Sequence, residues 1–238
     1  MNQIIRYIRK ELKSNADAST RQTFQRFFKE GVKCYGVKTG IVNKIANKYW
    51  KAIEHLDKGK IFELCEELYD SDFCEEAFIV SYWAPNLAGQ FEPTDLTLFQ
   101  KWIGKYINNW AKCDGFCNHT IGKFIEKYPR SIKHVQNWAK SDNRWLKRAS
   151  AVSLIIPAKK GGLLKEAFEI ADRLLTDSDD MVQKGYGWLL KETGRMHQKE
   201  VFNYVMKNKK LMPRTALRYA IELMPKALKT KAMKSAER

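Results

Sequence analysis

Trp110 and Asp114 stand four residues apart in residues 109–114, whose sequence is Asn-Trp-Ala-Lys-Cys-Asp. Because residues i and i+4 share a face of an α-helix, a helix here directs one indole and one carboxylate into the same space. The whole chain carries a formal net charge of +16, so we expect a polyanion to occupy that space. A carboxylate that only caps a helix or pairs with a cation is the alternative interpretation of Asp114.

Two later segments also combine aromatic rings with features that suit a ligand. Arg144 and Arg148 share a helix face beside Trp145, and two guanidinium groups one turn apart suit successive phosphates. An exposed basic face without a ligand is the alternative. Gly187 precedes Trp188 and costs roughly 1 kcal/mol of helix stability relative to alanine. This glycine indicates close approach of a neighbouring helix or a ligand, and a core tryptophan is the alternative for Trp188.

Composition limits the class of protein. The 238 residues are enough for one large domain or two small ones. Lys and Arg outnumber Asp and Glu by 43 to 27 and the pI is near 9.6, which favours nucleic acid or anionic membrane over a solvated basic surface without a target. No stretch approaches the ~20 apolar residues of a membrane span, and the first residues lack a secretory apolar region. We therefore expect a soluble cytoplasmic protein.

The five cysteines are odd in number and scattered along the chain, which predicts reduced, mostly buried thiols. Cys113, Cys117 and His119 lie close together in sequence, as metal ligands often do. A helix, however, carries His119 about 200° around from Cys117. We therefore expect no metal site and no cofactor.

Apolar residues recur over segments of roughly 10 to 18 residues, which predicts an all-α fold of short antiparallel helices. Residues 141–143 (Ser-Asp-Asn) and 177–179 (Asp-Ser-Asp) are suited to cap the helices that follow them. Helix pairs recur over 145–175 and 181–207, about the length of a HEAT-type repeat. We expect one HEAT-like solenoid domain over 1–225, an α-α superhelix with a concave basic face, and a basic tail over 226–238. A plain helical bundle is the alternative.

The chain resembles the DNA alkylation repair glycosylases built from HEAT-like helical repeats, the AlkD-type family. The resemblance covers most of the chain and is carried by the order and spacing of several segments: 109–114, 145–148, 183–188, 212–220 and, more weakly, 35–39. Two departures place the chain in a divergent subgroup. Phe27 stands where characterised members carry a tyrosine, and residues 109–114 differ from the Trp-Asp-x-Val-Asp form of the best-known members.

The resemblance implies hydrolysis of the N-glycosidic bond of alkylated purines, especially those made cationic by alkylation at N7 or N3. It implies a catalytic aspartate at Asp114, tryptophans that contact the sugar at Trp110 and Trp188, and an arginine that contacts a phosphate at Arg148. We expect further DNA contacts from Arg144, Lys147, Lys184, Lys191, Arg214, Arg218 and Phe27. Family members leave the damaged base in the stack instead of extruding it into a pocket. We therefore expect binding to double-stranded DNA mainly through phosphates. We also expect a monomer and no membrane partner.

The expected chemistry agrees with these residue types. Departure of the purine leaves positive charge at C1′ of an oxocarbenium-like sugar, which the carboxylate of Asp114 would stabilise while it orients water. The faces of Trp110 and Trp188 favour the same cation. Because a cationic purine is already a good leaving group, no general acid is required.

Two other functions compete with the glycosylase. The first is a non-catalytic DNA-binding paralogue that recognises branched or damaged DNA by shape, which Phe27 and the altered aspartate segment favour. The second is a helical-repeat scaffold for an acidic protein partner. The presence of Asp114, Trp110 and Trp188 together argues against the scaffold.

Overall fold

The computed structural model describes residues 2–28 and 31–234, and within these residues it contains helices and no strand. The all-α prediction is therefore confirmed. The α-helices are α1 (Gln3–Ser14), α2 (Ala18–Phe27), α3 (Thr39–Ile53), α4 (Lys58–Tyr69), α5 (Cys74–Trp83), α6 (Asp95–Tyr106), α7 (Trp110–Phe116), α8 (Gly122–Lys127), α9 (Ile132–Asn137), α10 (Arg144–Val152), α11 (Ile155–Lys159), α12 (Leu164–Leu174), α13 (Asp180–Thr193), α14 (Gln198–Asn208), α15 (Arg214–Ala220) and α16 (Lys226–Met233).

Backbone contacts divide the chain into two compact units, Met1–Lys123 and Phe124–Arg238. The single domain expected over residues 1–225 stays a prediction. Helix α16 occupies most of the expected basic tail, and residues 235–238 of that tail lie outside the described residues. No helix in residues 2–28 and 31–234 has the length and apolar character needed to cross a bilayer.

The first unit is built from two rows of helices. In one row α3 packs on α5 and α5 on α7, while in the other α1 packs on α4 and α4 meets α6 through the rings of Phe62 and Trp102, 5.5 Å apart. Large apolar side chains such as Trp83, Phe99 and Phe116 are fully buried in this unit. Burial of one phenylalanine stabilises the fold by about 1.5–3 kcal/mol. We name the row that contains α7 the α3–α5–α7 row.

The second unit repeats the same arrangement. Helices α10, α13 and α15 pack side by side, and we name them the α10–α13–α15 row. A second row runs from α9 to α12, then through the stacked rings of Phe168 and Tyr204 to α14, and on to α16. The helix pairs predicted over 145–175 and 181–207 are therefore present, as expected for a helical-repeat protein.

Local capping chemistry sets where several helices begin. Asn109 accepts a hydrogen bond from the backbone N–H of Lys112 at the start of α7. Asn143 caps α10 and Asp179 caps α13 in the same way, as the polar runs at 141–143 and 177–179 predicted. These side chains satisfy N–H groups that have no partner inside the helix.

The helical segment that begins at Trp110 is interrupted. A π-helical turn, Cys117–Ile121, separates α7 from α8. The wider turn moves the side chains after Cys117 away from the positions that a regular helix would give them. A smaller break separates α10 from α11.

A buried glutamate holds the loop before α3 in place. Glu75 is fully buried, and its carboxylate accepts hydrogen bonds from the backbone N–H groups of Tyr35, Gly36 and Val37 at 2.8–3.0 Å. Gly36 has a φ of +89°, and a Cβ there would lie 2.6 Å from the carbonyl oxygen of Asp17. Only glycine fits so close an approach. Residues 35–39 therefore fasten α2 to α5, and through α5 to α7.

Candidate active site

Helix α7 carries Trp110 and Asp114. Trp110 is its first residue and Asp114 follows one turn later, so the two share a face as predicted. Both residues are half-buried, which leaves each of them accessible to a ligand. The structure thus places one indole and one carboxylate together on the α3–α5–α7 row.

Lys112 fixes the other side of α7. It is only 2% exposed, and its ammonium group donates to the Asp72 carboxylate at 2.6 Å and to the Asp72 carbonyl at 3.0 Å. Asp72 adopts a left-handed backbone conformation with φ of 65°. The anchored lysine faces into the protein, and Trp110 and Asp114 occupy a different part of the helix surface.

Two phenylalanines at the end of α2 contact the indole of Trp110. The Phe28 ring stacks on it at 5.4 Å between centroids with an interplanar angle of 25°. The Phe27 ring meets it at 5.5 Å and 56°. Phe27 is 67% exposed, an unusual placement for a large apolar side chain.

A cavity of about 570 Å³ opens beside these rings. We name it the aromatic pocket. Helix α7 contributes Trp110, Ala111 and Gly115 to its lining, and the other aromatic walls are Phe24, Phe27, Phe28, Phe78 and Tyr82. Among the residues that the structure describes, no carboxylate and no ammonium group lines it. The pocket is therefore an uncharged, ring-lined space within the first unit.

Several polar groups also reach the aromatic pocket. Asn43, Ser81 and His119 lie in its lining, and the Ser81 hydroxyl donates to the Ala77 carbonyl at 3.1 Å, so its oxygen remains able to accept. Partial burial of the ring, and then the charge of Lys123, lowers the pKa of His119 below its ordinary 6.5. The imidazole is therefore neutral at pH 7 and offers both a donor and an acceptor.

The cysteines of this region do not form a metal site within the described residues. All five cysteines lie in the described residues, where they are buried and form no disulfide. No group of three or more His, Cys, Asp or Glu side chains able to hold a metal ion occurs in residues 2–28 and 31–234. Burial raises the pKa of the Cys74 thiol to about 12.

The basic residues of α10 contact the start of α13 instead of extending into solvent. Arg148 is only 5% exposed, and its guanidinium donates to the carbonyl of Met181 in the first turn of α13. Arg144 forms an ion pair with Asp179 at 2.9 Å, and Lys147 forms one with Asp177 at 2.8 Å. All three cations therefore fasten α10 to the start of α13, and their contact with phosphates stays a prediction.

Two glycines of α13 allow neighbouring helices to pack closely, Gly185 against α10 and Gly187 against α15. A Cβ on Gly185 would lie 3.2 Å from the Arg148 side chain, so the glycine leaves the space in which that arginine is buried. A Cβ on Gly187 would lie 2.7 Å from Tyr219 and 2.9 Å from the Ala216 carbonyl oxygen. The close approach predicted at Gly187 is therefore that of helix α15.

The remaining candidates of the second unit lie on the same row. Trp188 is half-buried on α13, where Lys184 pairs with Asp180 at 2.6 Å and Lys191 pairs with Glu222 at 3.1 Å. Arg214 and Arg218 are exposed on α15. The second-unit residues expected to contact DNA thus all belong to the α10–α13–α15 row.

Comparison with known proteins places the chain in a family. The sequence profile of the DNA alkylation repair enzymes matches residues 8–224. The chain belongs to the DNA alkylation repair enzyme family. The resemblance stated from the sequence is therefore confirmed at this level, and the narrower AlkD-type assignment stays a prediction.

Two solved structures share the fold of this family member. One is a predicted DNA alkylation repair enzyme from Enterococcus faecalis, with a TM-score of 0.80 and 14% identity over 89% of this chain and 98% of that one. The other is the alkylpurine DNA glycosylase AlkC from Pseudomonas fluorescens bound to DNA containing an abasic site analog. It gives a TM-score of 0.53 and 14% identity over 98% of this chain and 66% of that one. No curated protein sequence matches this chain.

The aromatic pocket was not foreseen from the sequence. Phe24, Phe27 and Phe28 have the i, i+3, i+4 spacing of a helix stripe, and Phe78 and Tyr82 have the i, i+4 spacing that core residues show. The only sequence signal for the pocket was the large number of aromatic residues in three separate helices. Their spacing does not distinguish a pocket from a filled core.

Proposed function

We propose that this protein is a DNA glycosylase that hydrolyses the N-glycosidic bond of cationic N7- or N3-alkylated purines in double-stranded DNA. The observation that carries the proposal is the pairing of Trp110 with Asp114 on one face of α7 in a member of the DNA alkylation repair enzyme family. AlkC, which shares the fold, is an alkylpurine DNA glycosylase.

The carboxylate of Asp114 stabilises the positive charge that develops at C1′ and orients the attacking water. Its half-buried position strengthens the electrostatic effect, because a charge partly removed from water is less screened. The indole of Trp110, held by Phe27 and Phe28, presents a face that favours the same cation. The purine remains stacked until the bond breaks, so the reaction needs no extrusion of the intact nucleotide.

Roles for the second unit rest on the resemblance. Trp188 contacts the deoxyribose and Arg148 contacts a phosphate. Arg214 and Arg218 bind the DNA backbone from the exposed surface of α15. Arg144, Lys147, Lys184 and Lys191 reach phosphates by exchanging their carboxylate partners, which costs little at partly exposed positions. The active species is a monomer.

Two observations favour a second function, a DNA-binding paralogue without catalysis. Phe27 lacks the hydroxyl of the tyrosine found in characterised members, and several expected phosphate-binding cations are paired with carboxylates here. Such a protein would bind branched or damaged DNA and release no base.

Base release and DNA binding must therefore be measured side by side. Duplex DNA with a single N7-methylguanine is incubated with the protein at low salt, and an identical unmodified duplex is the control. The glycosylase releases 7-methylguanine in proportion to time and enzyme and releases nothing from the control. Binding of both duplexes without release would overturn the glycosylase in favour of the paralogue, and absence of binding would overturn both.

A further inference from the structure

We propose that the aromatic pocket is a binding site for the released base, an uncharged alkylated purine. This inference rests on the proposed function and extends it to the fate of the product. The pocket shares Trp110 with the candidate catalytic face of α7, while Ala111 and Gly115 bring the adjacent face of that helix into the lining. A base leaving the sugar beside Trp110 therefore has the pocket next to it.

The charge of the product matches the pocket. When water adds to C1′ and gives up a proton to solvent, the electron pair of the bond from C1′ to the purine nitrogen passes to the ring. That pair cancels the positive charge of the N7- or N3-alkylated base, so the product is neutral. A neutral purine needs no charged partner, and none of the described lining residues offers a carboxylate or an ammonium group. The pocket therefore suits the product.

The shape of the lining also matches a flat heterocycle. Its volume of about 570 Å³ falls within the ~300–1,000 Å³ range of small-molecule sites. Phe27 and Phe28 set two ring faces near Trp110, and proteins that bind single bases use aromatic stacking of this kind. Asn43, Ser81 and His119 add donors and acceptors for the ring edge.

The test uses free bases and no DNA, so that it does not depend on catalysis. Binding of 7-methylguanine and 3-methyladenine to the Asp114→Asn protein is measured by calorimetry and saturation-transfer NMR. 2-Deoxyribose, which cannot stack on aromatic rings, is the comparison. We expect the free bases to bind at least about tenfold more tightly than the sugar.

Two exposed positions allow substitutions that leave the fold intact. Phe27→Ala removes one ring wall and Asn43→Leu removes one polar edge, and both residues are exposed. Matched controls are Tyr7→Ala on α1, where the ring is also exposed, and Asn203→Leu on α14. Loss of one stacking ring weakens binding by about five- to a hundredfold, so Phe27→Ala should weaken base binding at least fivefold. Asn43→Leu should weaken it as well, and the two controls should not.

The outcomes separate this inference from the proposed function. Excision of N7-methylguanine by the wild type without binding of the free base overturns the pocket and leaves the glycosylase standing. Base binding without excision keeps the pocket and overturns the glycosylase. Equal binding with and without the Phe27→Ala substitution, or binding of 2-deoxyribose as tight as that of the base, also overturns the pocket.

Discussion

At the scale of single residues, Asp114 and Trp110 were placed correctly from the sequence because their relation is local. Spacing of four on a helix fixes a shared face whatever the rest of the chain does. The burial of Arg148 was not predictable, because it depends on Gly185 of another helix. The sequence of α10 alone does not distinguish an arginine that packs against a neighbouring helix from one that contacts a phosphate.

Asp17 provides a prediction about pH at this scale. It accepts hydrogen bonds from the Ser19 and Thr20 hydroxyls and from the Thr20 N–H at 2.7 Å each. These bonds, the one from Ser19 first, lower its pKa from 3.8 to about 2. Because the folded pKa is depressed, the cap stabilises α2 at pH values above about 3.8, and this contribution is lost as the pH falls through about 2.

An NMR titration of the Asp17 carboxyl carbon checks this value. The midpoint should lie near 2 in the folded protein, and Ser19→Ala should raise it. A midpoint at the ordinary value of 3.8 in the folded protein would show that the capping bonds are absent.

At the scale of helices, the space around two glycines predicts opposite effects for their substitution by alanine. Gly187→Ala forces a Cβ to within 2.7 Å of Tyr219 and 2.9 Å of a backbone oxygen, so it should destabilise the protein by about 1–3 kcal/mol. Gly104→Ala on α6 places its Cβ in open space and should stabilise by about 0.5–1 kcal/mol.

Urea unfolding of the two variants and the wild type measures both changes. The slopes should agree, so that the midpoints report stability alone. A Gly187→Ala protein as stable as the wild type would contradict the close packing of α13 on α15.

Glu75 leads to a second prediction about helices, because one side chain fastens the loop that positions α2. The two oxygens of the Glu75 carboxylate accept hydrogen bonds from three backbone N–H groups. Glu75→Gln leaves only one acceptor oxygen for these groups. An unsatisfied buried N–H costs about 1–3 kcal/mol, and we expect a loss of stability of that size.

The control for this substitution is Glu63→Gln, which disrupts an exposed ion pair with Lys60 and should change stability by no more than about 0.5 kcal/mol. Denaturant unfolding gives both values. If the two variants proved equally stable, Glu75 would not hold the loop.

Most helices of this fold were predictable, and the reason is local. Helices α1 and α12 follow apolar stripes with the expected period, and the caps of α10 and α13 lie in polar runs adjacent to them. The π-helical turn after α7 was not predictable, because the same residues also suit a continuous helix. The aromatic pocket was hidden for a related reason, since only the packing of α2, α5 and α7 shows that a space remains among the rings.

At the scale of the whole molecule, the net charge of +16 predicts that DNA binding weakens steeply with salt. Each phosphate contact adds a slope of about −0.9 to the plot of log affinity against log salt. Arg218→Ala removes an exposed cation of α15, so it should weaken binding to all sequences alike and reduce the slope by about 1.

Titration of a fluorescent duplex at several salt concentrations measures the slope. Arg6→Ala, which removes an exposed arginine of α1 in the first unit, is the matched control. An unchanged slope in Arg218→Ala, or an equal loss in Arg6→Ala, would contradict phosphate binding by α15.

The central claim is that the carboxylate of Asp114 stabilises the cation that forms when an alkylated purine leaves DNA. The most direct measurement is single-turnover release of 7-methylguanine from duplex DNA by the wild type and by Asp114→Asn, at low salt and matched DNA occupancy. The substitution keeps the size of the side chain and removes its charge. We expect the wild type to release the base, and we expect the release rate to fall at least about a hundredfold in the variant while DNA binding is retained. Equal rates of release from the two proteins would contradict it.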